Sequence, residues 1–399
     1  MCPCVRLELS VSQFASIPIV PPPAQPVPPM PAPPALPAKL DFTGDRIAFL
    51  HLAAHGAGLE LVTLGFYRFW LVTDVRRHLW SNTVLDGDAA EYTGRGRELL
   101  IGFLIALAIL MPIYLAYFLI SIEAEHMQAL ASIPLVAAFY VFGQFAIYRA
   151  RRYRLTRTVW RGVRFWMDGS GWRYALHASL WAVLAVATLG LALPWRAAAL
   201  ERYKMQHSWY GDLQGHFEGR GWDFFRRIWW LWLASPLAIL IFPIPFFYAY
   251  YKAVEWQWWL SGIRFGAVTV GSRLQSDALQ GCYWKVIVWS FVLSLGASVI
   301  IGALASAVIG ITRALGVATD ADPLVTAIPV AAITVIVYLG FALNLSVVTR
   351  LYLSRDLWAK VLSTTVVTDL AAAANVAAKG DLATAVGEGI ADGLDVAGF

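Results

Sequence analysis

The segment TLGFYRFW at residues 63–70 recurs as TLGLALPW at residues 188–195. In both segments a threonine and a glycine interrupt an apolar stretch, and a tryptophan closes the segment. Glycine ends helices readily because it adopts left-handed backbone conformations without a side-chain clash. We therefore predict that Gly65 and Gly190 each end one half-helix at a turn. Each apolar stretch would then enter the membrane and return to the side from which it came.

The composition is that of a membrane protein. The 399 residues are 59% hydrophobic and 14% charged, whereas soluble domains contain about 25% charged residues. A bilayer is crossed by roughly 20 apolar residues, and four stretches reach that length: 99–120, 130–148, 286–312 and 324–348. Three more apolar stretches are broken by glycine or proline: 47–72, 174–195 and 228–251.

Arginine is concentrated between these stretches and predicts their sidedness. Residues 149–173 contain eight arginines, so the positive-inside rule places them in the cytoplasm. Residues 74–97 and 196–227 are also basic, which puts both ends of each TLG stretch inside, and the turns at 121–131 and 313–323 fall outside. A plain seven-crossing chain stays open as the alternative. It would invert one TLG segment relative to the other, as in secondary transporters.

Short β-branched or aromatic segments alternate with the apolar ones. Several of them end in an aromatic residue followed two positions later by a glycine: FTG at 42, YTG at 92 and FEG at 217, with a looser WMDG at 166. We predict a positive φ at these glycines. The predicted fold class is membrane all-α, a polytopic helical bundle with re-entrant or broken hairpins and short β-like segments on the cytoplasmic side.

Three regions follow from the composition. From its composition we expect residues 1–40 to be a disordered proline-rich tail. Residues 41–368 form the membrane domain, with internal repeats near 42–96 and 166–221. Residues 369–399 form an alanine-rich tail, for which a weak amphipathic helix and disorder are both open.

Several of these motifs together resemble a known family. Phe42 and Gly44, TLGFYRFW with Arg76 and Arg77 after it, NTVLDG at 82–87, YTG at 92 and GVRFWMDG at 162–169 resemble the YjgN-like family of bacterial inner-membrane proteins. The similarity runs from about Phe42 to about Thr365. It implies a multi-pass protein of the bacterial inner membrane, and it supplies no activity, substrate or catalytic residue.

Four arginines are predicted to contact lipid phosphates: Arg151, Arg154, Arg157 and Arg161. On a continuous helix they would share one broad face, and they lie among aromatic residues after a predicted membrane exit. A cation at such a position gains about 1 kcal/mol from anionic lipid. Arginine among aromatic residues is also found on nucleic-acid surfaces, but the position beside a membrane favours lipid. We therefore expect anionic membrane lipids as partners and no nucleic acid.

A row of small residues runs along the stretch 286–312 with a period of four. Its members are Ser290, Ser294, Ser298, Gly302, Ser306 and Gly310. Small side chains let a second helix approach closely, and helix association in lipid depends on such packing. We expect packing of Ser294, Ser298, Gly302, Ser306 and Gly310 within the chain, and a homodimer through the same row is the alternative.

Glu60 is an ionisable residue within an apolar stretch, which by default raises a functional hypothesis. It is a pathway candidate together with Gly65 and Gly190, and a pair with Arg68 is the structural alternative. His51 and His55 have the spacing of two metal ligands on one helix, but as residues at the start of an apolar stretch they are expected to be interfacial. We predict no metal site and no cofactor.

The chain contains no nucleophile elbow, P-loop, HExxH or paired-cysteine motif. We therefore expect a protein that is not an enzyme, with a multi-pass position in the bacterial inner membrane. The leading hypothesis is a transporter- or channel-like protein for a small solute or ion, with the TLG turns along its pathway. The alternative is a non-transporting scaffold or envelope-maintenance protein that interacts with lipid.

Overall fold

The computed structural model describes residues 37–123, 128–240, 244–316, 324–380 and 382–383. All of them belong to one compact unit, Ala35–Phe399. Most of the predicted proline-rich tail, parts of the two predicted outside turns, Pro243 of the third broken stretch and residues 384–399 lie outside the described residues.

The described part of the chain contains eleven α-helices. They are α1 (Arg46–Val62), α2 (Arg68–Ser81), α3 (Gly96–Glu123), α4 (Gln128–Thr156), α5 (Gly171–Ala187), α6 (Leu193–Gln206), α7 (Gly221–Ala234), α8 (Ile244–Gly262), α9 (Gln280–Ala314), α10 (Leu324–Thr349) and α11 (Leu357–Ser363). A π-helical segment, Arg350–Asp356, joins α10 to α11, and 3-10 turns occupy Ser235–Leu240 and Leu370–Ala373.

Eleven strands are also present among the described residues. They are β1 (Ala38–Phe42), β2 (Thr83–Leu85), β3 (Asp88–Ala89), β4 (Glu91–Tyr92), β5 (Thr158–Trp160), β6 (Val163–Met167), β7 (Ser208–Tyr210), β8 (Leu213–Phe217), β9 (Ile263–Phe265), β10 (Val268–Ser272) and β11 (Thr365–Thr368). They form one antiparallel sheet in the order β3-β2-β1-β11-β10-β9-β8-β7-β6-β5-β4.

The sheet closes almost completely on itself. Its two edge strands, β3 and β4, are separated in the chain by Ala90 alone. Side chains complete the seam, because Trp160 Nε1 donates to the carbonyl of Asp88 at 3.3 Å and Arg161 Nη2 lies 2.8 Å from Asp86 Oδ2. The predicted all-α class is therefore wrong. The β-like segments are 2–5 residues long, too short for a period of two to be read, yet they pair across the whole chain.

Five helical segments are inserted into this sheet at equivalent places among the described residues. Each leaves the end of one strand and returns at the start of that strand's neighbour. The residues that flank the insertions are paired across the sheet: Phe42 with Thr83, Tyr92 with Thr158, Met167 with Ser208, Phe217 with Ile263, and Ser272 with Thr365. All five insertions consequently begin and end at the same rim of the sheet, and the tight turns between strands lie at the other rim.

A hydroxyl group marks four of the five returns to the sheet that the structure describes. The first strand residue donates its Oγ hydrogen to the helix carbonyl four residues earlier, at 2.7–2.9 Å. The four residues are Thr83, Thr158, Ser208 and Thr365. The bond satisfies a carbonyl that the end of the helix leaves without a partner. It fixes where the helix stops and the strand begins.

The aromatic-x-Gly motif has a different physical cause from the one predicted. Of the four glycines, only Gly169 has a positive φ, of 80°. At the other three the preceding aromatic ring folds back over the glycine, so that a Cβ on Gly219 would lie 2.5 Å from the Phe217 ring. Gly44 and Gly94 are covered in the same way by Phe42 and Tyr92. These glycines are required because there is no room for a side chain.

Apolar side chains fill the inside of the sheet. Trp160, Tyr210, Val268 and Val367 are buried there. The segment after β11 adds Leu370, Ala373 and Val376 to this core, and the Ala377 amide donates to Asp212 Oδ1 at 3.2 Å. Residues 370–377, predicted as part of a weak helix or disordered tail, thus cover the rim of the sheet that carries the tight turns.

Four helical segments are long and apolar enough to cross a membrane, judged by length and composition. They are Gly96–Leu119, Ile133–Thr156, Gln280–Ala314 and Thr326–Ser363. The first two belong to one insertion and the last two to another. The remaining three insertions, α1 with α2, α5 with α6, and α7 with α8, are shorter, and we call them the short hairpins.

Candidate membrane-contact site

The two TLG segments form turns with the same backbone conformation. Leu64 and Gly65 have φ values of 52° and 88°, and Leu189 and Gly190 have φ values of 50° and 88°. The amide of each glycine donates to the carbonyl five residues earlier at 2.7 Å, as in a Schellman cap. Because left-handed backbone strains a leucine, these two leucines are held there by the hydrogen bonds around them.

The threonine of each segment ties the turn to the helix before it. Thr63 Oγ1 donates to the carbonyl four residues earlier at 2.7 Å and accepts from the amide four residues later at 2.9 Å. Thr188 Oγ1 makes the corresponding bonds at 2.8 and 3.1 Å. The threonine therefore caps the end of one helix and the start of the next.

The residues around these turns present apolar side chains outward. We call residues 62–66 and 186–191 the hairpin tips. Leu64 is 90% exposed and Val62 80% exposed, and the second tip exposes Leu189 by 80% and Val186 by 77%. Apolar surface of this kind marks a membrane or protein contact. The tips lie at the ends of the short hairpins that point away from the sheet.

The third short hairpin adds tryptophan to this surface. Trp222, Trp229 and Trp232 are large exposed side chains of α7. Trp232 Nε1 donates to the carbonyl of Leu189 at 2.9 Å, so the third hairpin satisfies a polar group of the second hairpin's tip. Tryptophan is enriched where a membrane meets water because its ring has both an apolar body and a polar N–H.

The tryptophan that ends each quoted segment has a structural role. A Cβ on Gly96, the first residue of α3, would lie 2.8 Å from the Cα of Trp70. A Cβ on Gly221, the first residue of α7, would lie 2.8 Å from the Cα of Trp195. Each short hairpin that carries a TLG turn therefore packs its returning helix directly against the start of the next helical insertion.

Ion pairs join the helices near the sheet. Arg151 Nη1 lies 2.9 Å from Glu201 Oε2, and Lys204 contacts the same carboxylate. Burial alone would raise the pKa of the Glu201 carboxyl, but the charges of Arg151 and Lys204 lower it to about 2. This carboxylate holds α4 against α6. Unpaired, it would be costly to bury.

The four predicted lipid-contact arginines do not share a helix face, because α4 ends at Thr156. Arg151 pairs with Glu201, and Arg157 Nη2 lies 2.7 Å from Glu98 Oε2. Arg161 lies in the turn between β5 and β6 and pairs with Asp86 and Asp88. Arg154 is half-buried on α4. The acidic partners of Arg151, Arg157 and Arg161 are far away in sequence, so this pairing was not predictable from spacing. Contact with lipid phosphate stays a prediction.

The three pathway candidates, Glu60, Gly65 and Gly190, have different structural roles. Glu60 Oε2 lies 3.1 Å from Arg350 Nη2, a partner 290 residues away, and the alternative pair with Arg68 stays a prediction. Gly65 and Gly190 lie in the hairpin tips. His51 and His55 are exposed on α1, and no group of three metal-ligating side chains occurs within the described ranges.

The small-residue row faces outward. Ser294, Ser298, Gly302, Ser306 and Gly310 are all exposed. A Cβ on Gly302 or Gly310 would meet nothing within 4 Å among the described residues. Because α10 packs against a different face of α9, the structure does not bring another helix of the described chain to this row. The homodimer through these residues stays a hypothesis.

The fold and the exposed tips define a membrane-associated protein in which helical hairpins project from one rim of an antiparallel sheet. The chain matches the family described as "Bacterial protein of unknown function (DUF898)" over residues 37–255, which is more than half of its length, and it belongs to that family. This is the YjgN-like family, so the resemblance is confirmed. No curated protein and no solved structure matches the chain.

Proposed function

We propose that this protein is a non-transporting scaffold of the bacterial inner membrane. Its four long apolar helices cross the bilayer, and its three short hairpins lie in the leaflet next to the sheet. The observation that carries the proposal is the common rim: both ends of every described helical insertion lie at one side of the sheet, while the hairpin tips are apolar and exposed.

The helix lengths support this arrangement. At about 1.5 Å per residue, the 17 residues of α1 and of α5 span about 25 Å. The hydrocarbon core is about 30 Å thick, and the start of each helix lies at the sheet rather than in lipid. The 28 residues of α3 and the 35 of α9 span about 42 and about 52 Å. The short hairpins would therefore end inside the bilayer.

An unequal number of helices in the two leaflets would deform the membrane. The leaflet beside the sheet would hold the six helices of the described short hairpins together with the four crossing helices, and the other leaflet only those four. A helix about 10 Å wide occupies roughly 80 Å². Six such helices would add roughly 500 Å² to one leaflet. The membrane would then bend so that the leaflet with the extra area lies on the convex side.

Charge supports a cytoplasmic position of the sheet. Arg77, Arg151, Arg161 and Arg226 belong to the basic segments between the apolar stretches, and such segments stay in the cytoplasm.

We also propose that the five insertions arose as an internal repeat. The matched TLG turns, the paired flanking residues and the hydroxyl group at each of four returns support that origin.

A transporter or channel is the competing function, and the pair of Glu60 with Arg350 favours it. Charged residues at membrane depth often mark a solute or ion pathway. Under the scaffold proposal the same pair has a structural role, because it fixes a short hairpin to a crossing helix. The two functions differ in an observable way: one moves solute across a sealed vesicle, and the other changes the vesicle's shape.

The test is reconstitution into vesicles of phosphatidylethanolamine and phosphatidylglycerol. Leu64→Asn with Leu189→Asn makes the hairpin tips polar, and asparagine tolerates the left-handed backbone. Leu315→Asn, at an exposed leucine beyond α9, is the matched control. In electron micrographs we expect the wild type and the control to narrow the vesicles and the tip variant to leave them round. With all three proteins, a potassium-sensitive dye trapped in the vesicles should report no entry of potassium. Dye-detected flux with unchanged shape contradicts the scaffold.

A further inference from the structure

A cleft on the outer face of the sheet contains two arginines and no carboxylate. It has a volume of about 370 Å³ and is lined by Ser261, Arg264, Thr269, Val270, Gly271, Ser272, Arg273, Val366 and Thr368. Successive side chains of a strand point to opposite faces. Because Val268 and Val270 belong to the apolar core inside the sheet, Thr269 and Gly271 face outward.

Arg264 is held in place by three carbonyls and a carboxylate, and one nitrogen of its guanidinium is left without a partner among the described residues. Its Nη1 donates to the carbonyls of Ser261, Ile263 and Val270 at 2.8–3.1 Å, and its Nε lies 3.1 Å from Glu218 Oε2. Nη2 has no hydrogen-bond partner in the parts of the chain that the structure describes. A guanidinium that is already ordered loses little freedom when it binds an oxyanion.

The other polar groups of the cleft are donors too. Arg273 is exposed, and its side chain makes no hydrogen bond or ion pair with any residue in the described ranges. The hydroxyls of Thr269 and Thr368 contact each other. Two hydroxyls that share one hydrogen bond leave a second O–H free to donate. The cleft thus offers two guanidinium groups and one hydroxyl to a ligand.

We infer that this cleft binds a phosphate group carried by a small molecule or a lipid headgroup. Arginine is preferred for phosphate because its planar N–H groups match two phosphate oxygens at once; Arg273 can offer such a pair of groups, and Arg264 adds the single nitrogen Nη2. The volume of about 370 Å³ lies within the range of roughly 300–1,000 Å³ that is usual for small-molecule sites, so a phosphate with an attached glycerol fits. The inference goes beyond the scaffold function and does not depend on the short hairpins.

Two variants remove the site without touching the core. Arg273→Gln removes a charge that has no partner among the described residues. Gly271→Val fills the cleft from its floor, because a Cβ at Gly271 has only the Val366 carbonyl near it, at 3.9 Å, and valine favours strands. Arg220→Gln is the matched control: Arg220 is also exposed in a connection from a strand to a helix, but it does not line the cleft.

The experiment is calorimetric titration of the detergent-solubilised full chain. One arm adds inorganic phosphate and the other adds dihexanoyl phosphatidylglycerol below its micelle concentration. We expect saturable binding in at least one arm, weakened at least tenfold by Arg273→Gln and by Gly271→Val but unchanged by Arg220→Gln. Binding in the lipid arm alone identifies a headgroup site, binding in the phosphate arm alone identifies a soluble ligand, and binding in both arms supports a phosphate site that accepts either source. No binding in either arm, or equal binding by all variants, overturns the inference.

Discussion

Glu60 on α1 and Arg350, the first residue of the π-helical segment after α10, form an ion pair, with 3.1 Å between Glu60 Oε2 and Arg350 Nη2. The pair joins a short hairpin to a helix that is long and apolar enough to cross a membrane. Arg350 Nη1 is buried and has no hydrogen-bond partner among the described residues. The carboxylate of Glu60 is therefore the main compensation for that buried charge.

Removing this carboxylate should destabilise the protein measurably. For Glu60→Gln we expect a loss of about 2 kcal/mol in the free energy of unfolding, between the values of exposed and buried pairs. Denaturant titration in detergent measures it. Asp74→Asn is the control, because its partner Arg77 is 52% exposed. A loss no larger than the control's would show that the pair has no stabilising role.

The threonine of the TLG turn should contribute to stability through its hydroxyl group. Thr188→Val keeps the shape but removes the acceptor for the amide four residues later. We expect a loss of about 1 kcal/mol, as for other helix caps, measured by the same titration. Ser179→Ala is the comparison, since its hydroxyl only donates to a carbonyl within α5. Equal losses would refute a special role of the turn.

The glycine of the aromatic-x-Gly motif should not tolerate even one methyl group. Gly219→Ala places a Cβ 2.5 Å from the Phe217 ring, and we expect a loss of about 2 kcal/mol from overpacking. Gly58→Ala is the control, because its Cβ meets nothing within 4 Å and alanine favours a helix by about 1 kcal/mol. In thermal unfolding, the melting temperature should fall for Gly219→Ala and rise for Gly58→Ala. Changes of the same sign in the two variants would contradict the account.

Acid should weaken the contact between α4 and α6. The pKa of Glu201 is lowered to about 2 in the folded protein, below the value of about 4.3 for an unfolded glutamate. The unfolded state therefore binds the proton first as the pH falls, and the stabilisation is lost from about pH 5 to about pH 2. Glu201→Gln should have a flatter dependence of stability on pH over that window. If the wild type and Glu201→Gln showed the same dependence of stability on pH, the lowered pKa of Glu201 would be contradicted.

Part of the fold was predictable from the sequence. Apolar length identified the four candidate crossing helices, and the glycines of the TLG segments identified the turns, because both signals are local. The sheet was not predictable as a sheet, because its partners are separated by the helices. Ser272 pairs with Thr365, for example. One local signal does mark the sheet: a threonine or serine stands at the change from helix to strand, at Thr83, Thr158, Ser208 and Thr365.

The candidate sites show the same limit. The arginines at 151–161 suggested a shared helix face, but α4 ends within that segment. Their partners come from elsewhere in the chain: Glu98 on α3, Glu201 on α6, and Asp86 and Asp88 beside the sheet seam. Arg264 and Arg273 gave no sequence signal, because their cleft exists only where β9, β10 and β11 pair.

The most direct test of the account is the sidedness of three single cysteines in a variant that lacks Cys2, Cys4 and Cys282. Ala267→Cys lies in an exposed turn of the sheet, Leu189→Cys in a hairpin tip, and Leu315→Cys at the end of α9 away from the sheet. A membrane-impermeant thiol reagent is added to whole cells and then to opened membranes.

We expect Leu315→Cys to label in whole cells, Ala267→Cys to label only after the membranes are opened, and Leu189→Cys to resist the reagent in both preparations. That result would mean that the hairpin tip ends within the bilayer while the sheet lies in the cytoplasm. Labelling of Leu189→Cys from outside, together with Leu315→Cys, would mean that the short hairpin crosses the membrane, and the scaffold account would be wrong.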